Sequence, residues 1–354
     1  MPQGSARTIG MDVSDKFCSV CVLDPVSGDV IEEARVPTTV SAVTRYLEGR
    51  PAASVTIEVG PHSPWLARAI TAAGHEPVVA NARQVRLVYG ASRKSDRIDA
   101  EKLARLARYD ARLLAPIRHR GAQAQADLAR LRSRDVLVRT RAKLVNHARS
   151  IVKAFGARLP RCSTEAFHHK VREHVPDALL PALVPMLDTL AHLTASIKDI
   201  DATLSKRAAT TYPETALLRQ IPGVGPITSL AFVLTLEDPH RFAKSREVGP
   251  YLGLAPGQRQ SGDFDPTTRI TRAGDTLLRR LLVQCAHQIV RRPNDTDLKR
   301  VGERHLARGA HRNKAVTAVA RKLAVLLHHL SITSEGYEPL HNHRRSEPTE
   351  PAAA

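Results

Sequence analysis

Apolar residues recur at every second position in the first stretch of this chain. Arg7–Asp12, Phe17–Leu23 and residues 29–36 all show the period of a half-buried strand. Short polar turns at Val13-Ser14-Asp15 and Pro25–Gly28 separate them, so a three-stranded hairpin is expected over 7–12, 17–23 and 29–36. The period then changes. Residues 40–48 and 63–73 read as helices, 54–58 and 76–80 as strands, and a further helix runs from Asp96 to Arg108. A hairpin followed by alternating helices and strands predicts a mixed sheet with helices packed on it.

Farther along, the pattern is helical throughout. Leu137-Val138, Leu144-Val145 and Ile151-Val152 repeat every seven residues, and Leu183, Leu190, Ile197 and Leu204 repeat likewise beyond a break at 155–160. These two helices, the second with Pro185 near its start, are expected to form an antiparallel pair or a coiled coil between chains. Residues 214–330 read as mostly helical, with helices at 275–292 and 312–330, and the Pro-rich polar end reads as a disordered tail. The expected organisation is an α/β domain over 1–112, a basic helical region over 113–212, a mostly helical domain over 213–332 and a tail over 333–354.

Charge changes the picture. The 354 residues hold 53 Lys and Arg against 35 Asp and Glu, a net +18, which favours a polyanionic partner such as nucleic acid. Residues 118–161 alone hold 12 Lys and Arg against two Asp. Arg130, Arg134 and Arg141 on this helix are expected to contact nucleic acid, although such a face can also be merely solvated. No apolar run approaches the ~18 residues of a spanning helix, and no signal peptide pattern begins the chain, so a soluble cytoplasmic, nucleoid-associated protein without a membrane partner is expected. Cys18 and Cys21 have the spacing of a C-x-x-C pair, but three residues apart on a strand they point to opposite faces and read as packed thiols.

Four carboxylates then stand out. Asp12 follows one apolar strand, Glu58 closes another, and Asp96 and Asp99 share a face of one helix. Singly, each has an ordinary structural explanation: Asp12 as a turn cap, Asp96 as a helix N-cap, Asp99 as a first-turn acid. Together, four converging acids repel unless a divalent hard cation lies between them. In residues 221–229, Ile-Pro-Gly-Val-Gly-Pro-Ile-Thr-Ser has the form of a helix–hairpin–helix turn, where Gly223 and Gly225 allow close backbone approach to a phosphate. Ser261 lies in a loop beside Arg259, with Arg272 following. The arginines suit a phosphate, but nothing adjacent activates the serine.

The ordered set Met11–Asp15, Thr56–Gly60 and Lys94–Leu106 resembles the N-terminal domain of the DEDD-type insertion-sequence transposases. Residues 221–229, the Tyr251–Gly262 segment and Arg269–Ala286 resemble the C-terminal domain of the same family. The resemblance implies a RuvC-like (RNase H-like) fold, and Mg²⁺ held by Asp12, Glu58, Asp96 and Asp99. It also implies that Ser261 attacks DNA to form a phosphoserine link, with guidance by a bridge RNA. Val59 after Glu58, and Asp263-Phe264-Asp265-Pro266 in place of a more basic loop, depart from the family pattern. The expected protein is therefore a transposase acting on double-stranded DNA at element ends and target, as a homo-oligomer, a dimer or tetramer. Its rivals are a RuvC-like junction nuclease using water, a non-enzymatic nucleic-acid-binding protein, and an actin-like ATPase. The last should carry a glycine-rich phosphate loop, which residues 60–120 lack.

Overall fold

The computed structural model describes residues 7–81, 95–257 and 268–344, and it divides into two compact units, residues 1–121 and 122–354.

The first unit is built on a five-stranded sheet in the order β3-β2-β1-β4-β5. Its strands are β1 (Arg7–Val13), β2 (Phe17–Leu23), β3 (Val30–Pro37), β4 (Ala53–Glu58) and β5 (Glu76–Ala80). β1, β2 and β3 are antiparallel neighbours, while β4 runs parallel to β1 and β5 parallel to β4. The mixed sheet and the hairpin both follow the alternation read from the sequence. One face carries Ile9, Met11, Val20, Val55 and Ile57, all buried against α1 (Val40–Leu47) and α2 (Ser63–Ala72). The opposite face packs on α3 (Asp96–Asp110), with Cys21 and Leu23 against Ala100 and Ala104. Cys18 sits on the first face and Cys21 on the second, and burial pushes both thiols up, Cys21 to about 11. They are packed thiols, as their spacing implies.

The second unit is helical. Its long helices are α4 (Ala122–Ala154) and α5 (Leu180–Thr210), followed by α6 (Pro226–Leu236), α7 (Thr276–Arg291), α8 (Asp297–Ala307) and α9 (Arg312–Thr333). α4 and α5 run antiparallel within the chain. Arg207 donates to Asp127 at 2.8 Å and Arg134 donates to Asp201 at 2.7 and 3.0 Å, so residue numbers rise on one helix as they fall on the other. Near one end the pair shares a core with the later helices, Leu131 and Leu204 lying with Leu230, Leu282 and Leu323. This common core is why 122–212 clusters with the C-terminal helices rather than standing as a domain of its own. At the other end Val145, Val152, Leu183 and Leu190 bury Phe167 from the segment joining them.

Two expectations are corrected. Segments Asp177–Thr210 and Arg312–Thr333 are long and apolar enough by composition to cross a membrane, but here α5 and α9 bury their apolar stripes in the protein core. Residues 335–342 are held rather than loose. The Tyr337 amide donates to Gln220 Oε1 at 2.8 Å, and the Pro339 carbonyl accepts from the Asp297 amide at 2.7 Å.

Candidate active site

Two carboxylates leave the sheet at neighbouring strand ends. Asp12 is the penultimate residue of β1 and Glu58 the last of β4, and Met11 pairs with Ile57 across the two parallel strands. Side chains alternate along a strand, so Gly10, Asp12, Thr56 and Glu58 share the face covered by α3. Close contact brings that helix in: a Cβ on Gly10 would stand 2.0 Å from the Ala100 carbonyl oxygen, so glycine is required there. Ser95, in extended backbone, caps α3 by accepting from the Ile98 amide at 3.3 Å. The cap role open to Asp96 thus falls to Ser95, and Asp96 and Asp99 stand in the first turn.

Asp12 registers the result. Its carboxyl is pushed up to about 6, first by burial and then by the negative charges of Asp96, Asp99 and Glu58, against a lowering hydrogen bond from the Val13 amide. All four predicted acids therefore feel one another electrostatically near this edge of the sheet. Lys102, one turn along α3, sets its ammonium 3.2 Å from Asp99 Oδ1 and offsets part of the charge. The donor set is all oxygen and suits a hard divalent cation. Among the described residues, however, no three His, Cys, Asp or Glu side chains converge closely enough to hold one. The acids lie near enough to repel one another but are not closed into a ligand cage.

The loops following Asp12 and Glu58 are tied together by residues that the sequence reading passed over. His62 Nε2 lies 3.1 Å from Asp15 Oδ1, and the Trp65 indole N–H donates to His62 Nδ1 at 3.2 Å. Indole can only donate, so Nδ1 accepts and Nε2 carries the proton towards Asp15. Next to it Ser63 Oγ donates to the Gly60 carbonyl at 2.8 Å, and His119 Nε2 lies 2.8 Å away. With its one proton committed to Gly60, the Ser63 hydroxyl accepts from His119. Burial, aided by the positive charges of Arg120 and Arg68, pushes the His119 pKa down. The signal for this network was the run Gly60-Pro61-His62-Ser63 just beyond Glu58 and Val59, in a loop of the kind that carries function.

Ser261 and Arg259 lie outside the described residues. The chain on either side of them is paired: the Gly257 amide donates to the Arg269 carbonyl at 3.0 Å and the Thr271 amide to Ala255 at 2.9 Å. Arg272 is exposed there with a left-handed φ of 55°, a strained state for a side chain with a Cβ, and its amide donates to Gly253 at 3.2 Å.

Gly223 has a φ of 101°, and a Cβ there would meet Ile289 of α7 at 3.4 Å, so it serves helix packing. Gly225 is the N-cap residue of α6, preceded by only a single-turn helix, Thr215–Leu218. The three arginines of α4 are engaged or hidden. Arg130 pairs with buried Asp127 at 2.7 Å, Arg134 pairs with Asp201, and Arg141 is only 5% exposed, which leaves its guanidinium no open surface for a backbone phosphate.

A mixed sheet with acids at the ends of adjacent central strands is compatible with the RNase H-like nucleic-acid enzymes. Residues 9–156 match a DEDD-type family described as "Transposase", and residues 215–301 match the "Transposase IS116/IS110/IS902 family". The chain is 31% identical over 253 residues to the transposase for insertion sequence element IS1328 of Yersinia enterocolitica, covering 71% of this chain and 75% of that protein. It is 29% identical over 257 residues to the transposase for insertion sequence element IS1111A of Coxiella burnetii, covering 70% of each. The chain belongs to the DEDD-type insertion-sequence transposases, enzymes that cut and rejoin DNA.

Proposed function

We propose that this transposase cuts and rejoins double-stranded DNA at element ends and target, with Asp12, Glu58, Asp96 and Asp99 holding Mg²⁺ and Ser261 as the nucleophile. The observation that carries the reading is the upward displacement of Asp12, first by its burial and then by the negative charges of Asp96, Asp99 and Glu58, a crowding that a bound cation would relieve. A divalent ion, when bound, neutralises the scissile phosphate and the oxyanions of the displacement. The protein's own groups do the rest. Gly10 keeps α3 close, Lys102 restrains Asp99, and the His62–Asp15 and His119–Ser63 contacts fix the loops beyond the two strand-borne acids.

In the proposed strand transfer, the Ser261 oxygen forms a bond to phosphorus as the phosphodiester P–O bond breaks. The serine gives up its proton and the departing DNA oxygen takes one, so the ester is exchanged and remains available for resealing. Guidance by a bridge RNA and work as a cytoplasmic homo-oligomer belong to the same reading. Two duplexes must be cut, which one active site does not do alone. The test is DNA cleavage with and without Mg²⁺ by wild type and by Asp12→Asn, Glu58→Gln and Asp99→Asn. Cleavage only by wild type with the ion is expected, and wild-type rates in the variants would refute the site.

A further inference from the structure

Between α8 and α9 lies a cleft of about 220 Å³ lined by Val301, Arg304, His305, Arg308 and Lys322, with no acid among them. Through Val301, Arg304 and Lys322 it continues into a groove of about 810 Å³ whose other wall includes residues 335–339. Acids do line the larger groove, but each has its own partner. Asp297 accepts from the Asn342 amide at 2.8 Å, Glu303 faces Lys299 at 3.7 Å, and Glu335 and Glu338 face His329 and His341 at 3.5 and 3.1 Å. Arg304, Arg308 and Lys322 are exposed, and none makes an ion pair or side-chain hydrogen bond with another described residue.

The sequence around the cleft is one-sided as well. From Arg304 to Lys322 it holds six Lys and Arg, two His and no acid. α9 opens with Arg312 and Lys314 and no acid in its first turn, although the helix dipole disfavours cations at that end. Three unpaired cations around one small cleft repel each other, and an anion bound between them removes that cost. Arg304 in the last turn of α8 and Arg308, its C-cap residue, stand about one turn apart, roughly 6 Å along the axis. They offer planar guanidinium forks, the donor geometry matched to phosphate oxygens.

We propose that the α8–α9 cleft is a binding site for the phosphodiester backbone of nucleic acid, held by Arg304, Arg308 and Lys322. The proposal rests on the reading of this chain as an enzyme that acts on DNA, and it adds a contact site in the C-terminal unit, away from the arginines of α4. Val301 supplies the apolar floor. Sequence is not read here; the contact fixes position and adds salt-dependent affinity.

The test measures binding of fluorescent duplex DNA and of single-stranded RNA to the full-length protein over a range of salt concentrations. Each lost phosphate contact lowers the log–log slope by ~0.9 for duplex and ~0.7 for single strands. The triple variant Arg304→Gln, Arg308→Gln, Lys322→Gln should lose about 2 to 3 units of slope on the strand that occupies the cleft, which identifies the source of the phosphates. Replacing the two arginines by lysine should keep the slope, and a melting temperature equal to wild type in all variants confirms that the fold is intact. Wild-type binding with an unchanged slope in the triple variant overturns the cleft alone, whereas absence of binding by wild type overturns the functional reading and the cleft with it.

Discussion

Gly10 of β1 lies directly beneath Ala100 of α3, with room for a hydrogen but not for a methyl group. A Cβ there would stand 2.0 Å from the Ala100 carbonyl oxygen and 2.6 Å from the Ala104 amide nitrogen, both backbone atoms that cannot rotate away. The contact couples fold to site, because Asp12 is two residues beyond Gly10 on the same face and Asp99 directly precedes Ala100. Gly10→Ala should therefore shift the whole helix. The expected cost is about 1–3 kcal/mol of stability, as for other overpacked positions. DNA cleavage should fall further than binding does, since only the acids are displaced. Wild-type melting and cleavage in this variant would show that the sheet and helix yield without disturbing the site.

Asp12 gives the metal-free protein a pH dependence of unusual sign. Its folded pKa of about 6 exceeds the ordinary 3.8, so between these values the native state holds the proton that the unfolded chain has lost. The stability this group contributes is complete below 3.8 and is lost as the pH rises through about 6. Asp12→Asn should hence melt higher than wild type at pH 7 without metal, and the difference should shrink towards pH 4. Added Mg²⁺ should stabilise wild type and leave Asp12→Asn nearly unmoved. Thermal melts at the two pH values, with and without the ion, check each part. A lower melting temperature for Asp12→Asn at pH 7 would contradict the crowding of charge.

Much of this was readable in advance, and the reason is local. The strands of the first unit are set by alternation within six or eight residues, and the four acids sit at ends of those elements, so their convergence follows from strand order. The fate of the α4 arginines was not readable, because it depends on distant residues. Arg134 meets Asp201 and Asp127 meets Arg207 only once the chain has folded back on itself, so a face that looks like solvated charge in sequence is partly an internal ion-pair ladder. Ser95 displaced Asp96 as the cap because a hydroxyl one residue earlier reaches the Ile98 amide. α8 escaped notice since its apolar positions are few, with only Leu298 and Gly302 buried. The segment after α9 looked disordered by composition, yet partners at Gln220 and Asp297 hold it.

The α4–α5 ladder makes its own prediction. Asp127 is fully buried. Burial alone would push its carboxyl up, but hydrogen bonds from Arg207, Gln123, Tyr212 and Arg130 outweigh it and hold the pKa below the ordinary value. Removing the acid strands donors aimed at one point. Asp127→Ala should cost about 3 kcal/mol, the scale for breaking one side of a buried pair. Asp127→Asn should recover part of this by accepting fewer, uncharged hydrogen bonds. Because the folded pKa is depressed, the stabilisation is present above pH 3.8 and is lost as the pH falls through the folded value. Equal denaturation midpoints for wild type and Asp127→Ala at pH 7 would remove the ladder's role in stability.

Ser261 decides between strand transfer and hydrolysis, since the acids serve either reaction. If its oxygen attacks phosphorus, Ser261→Ala should bind nucleic acid and Mg²⁺ as wild type does but form no covalent protein–DNA adduct and no rejoined product. Ser261→Cys should keep at most a trace, because thiolate is a soft ligand poorly matched to Mg²⁺. A nuclease using water would tolerate Ser261→Ala with little loss, the attacking oxygen coming from solvent. The measurement is denaturing electrophoresis of labelled DNA incubated with protein, Mg²⁺ and the RNA transcribed from the element's own ends, followed by mass mapping of any conjugate. Arg272 offers a control: exposed and held at a left-handed φ of 55°, it should affect rate without abolishing the adduct when changed to Gln. A conjugate at another residue, or full cleavage by Ser261→Ala, would transfer the nucleophile's role elsewhere. The carboxylates near the edge of the sheet would stand in either case, because their geometry depends on Gly10, Ser95 and the parallel pairing of β1 with β4 and not on the serine.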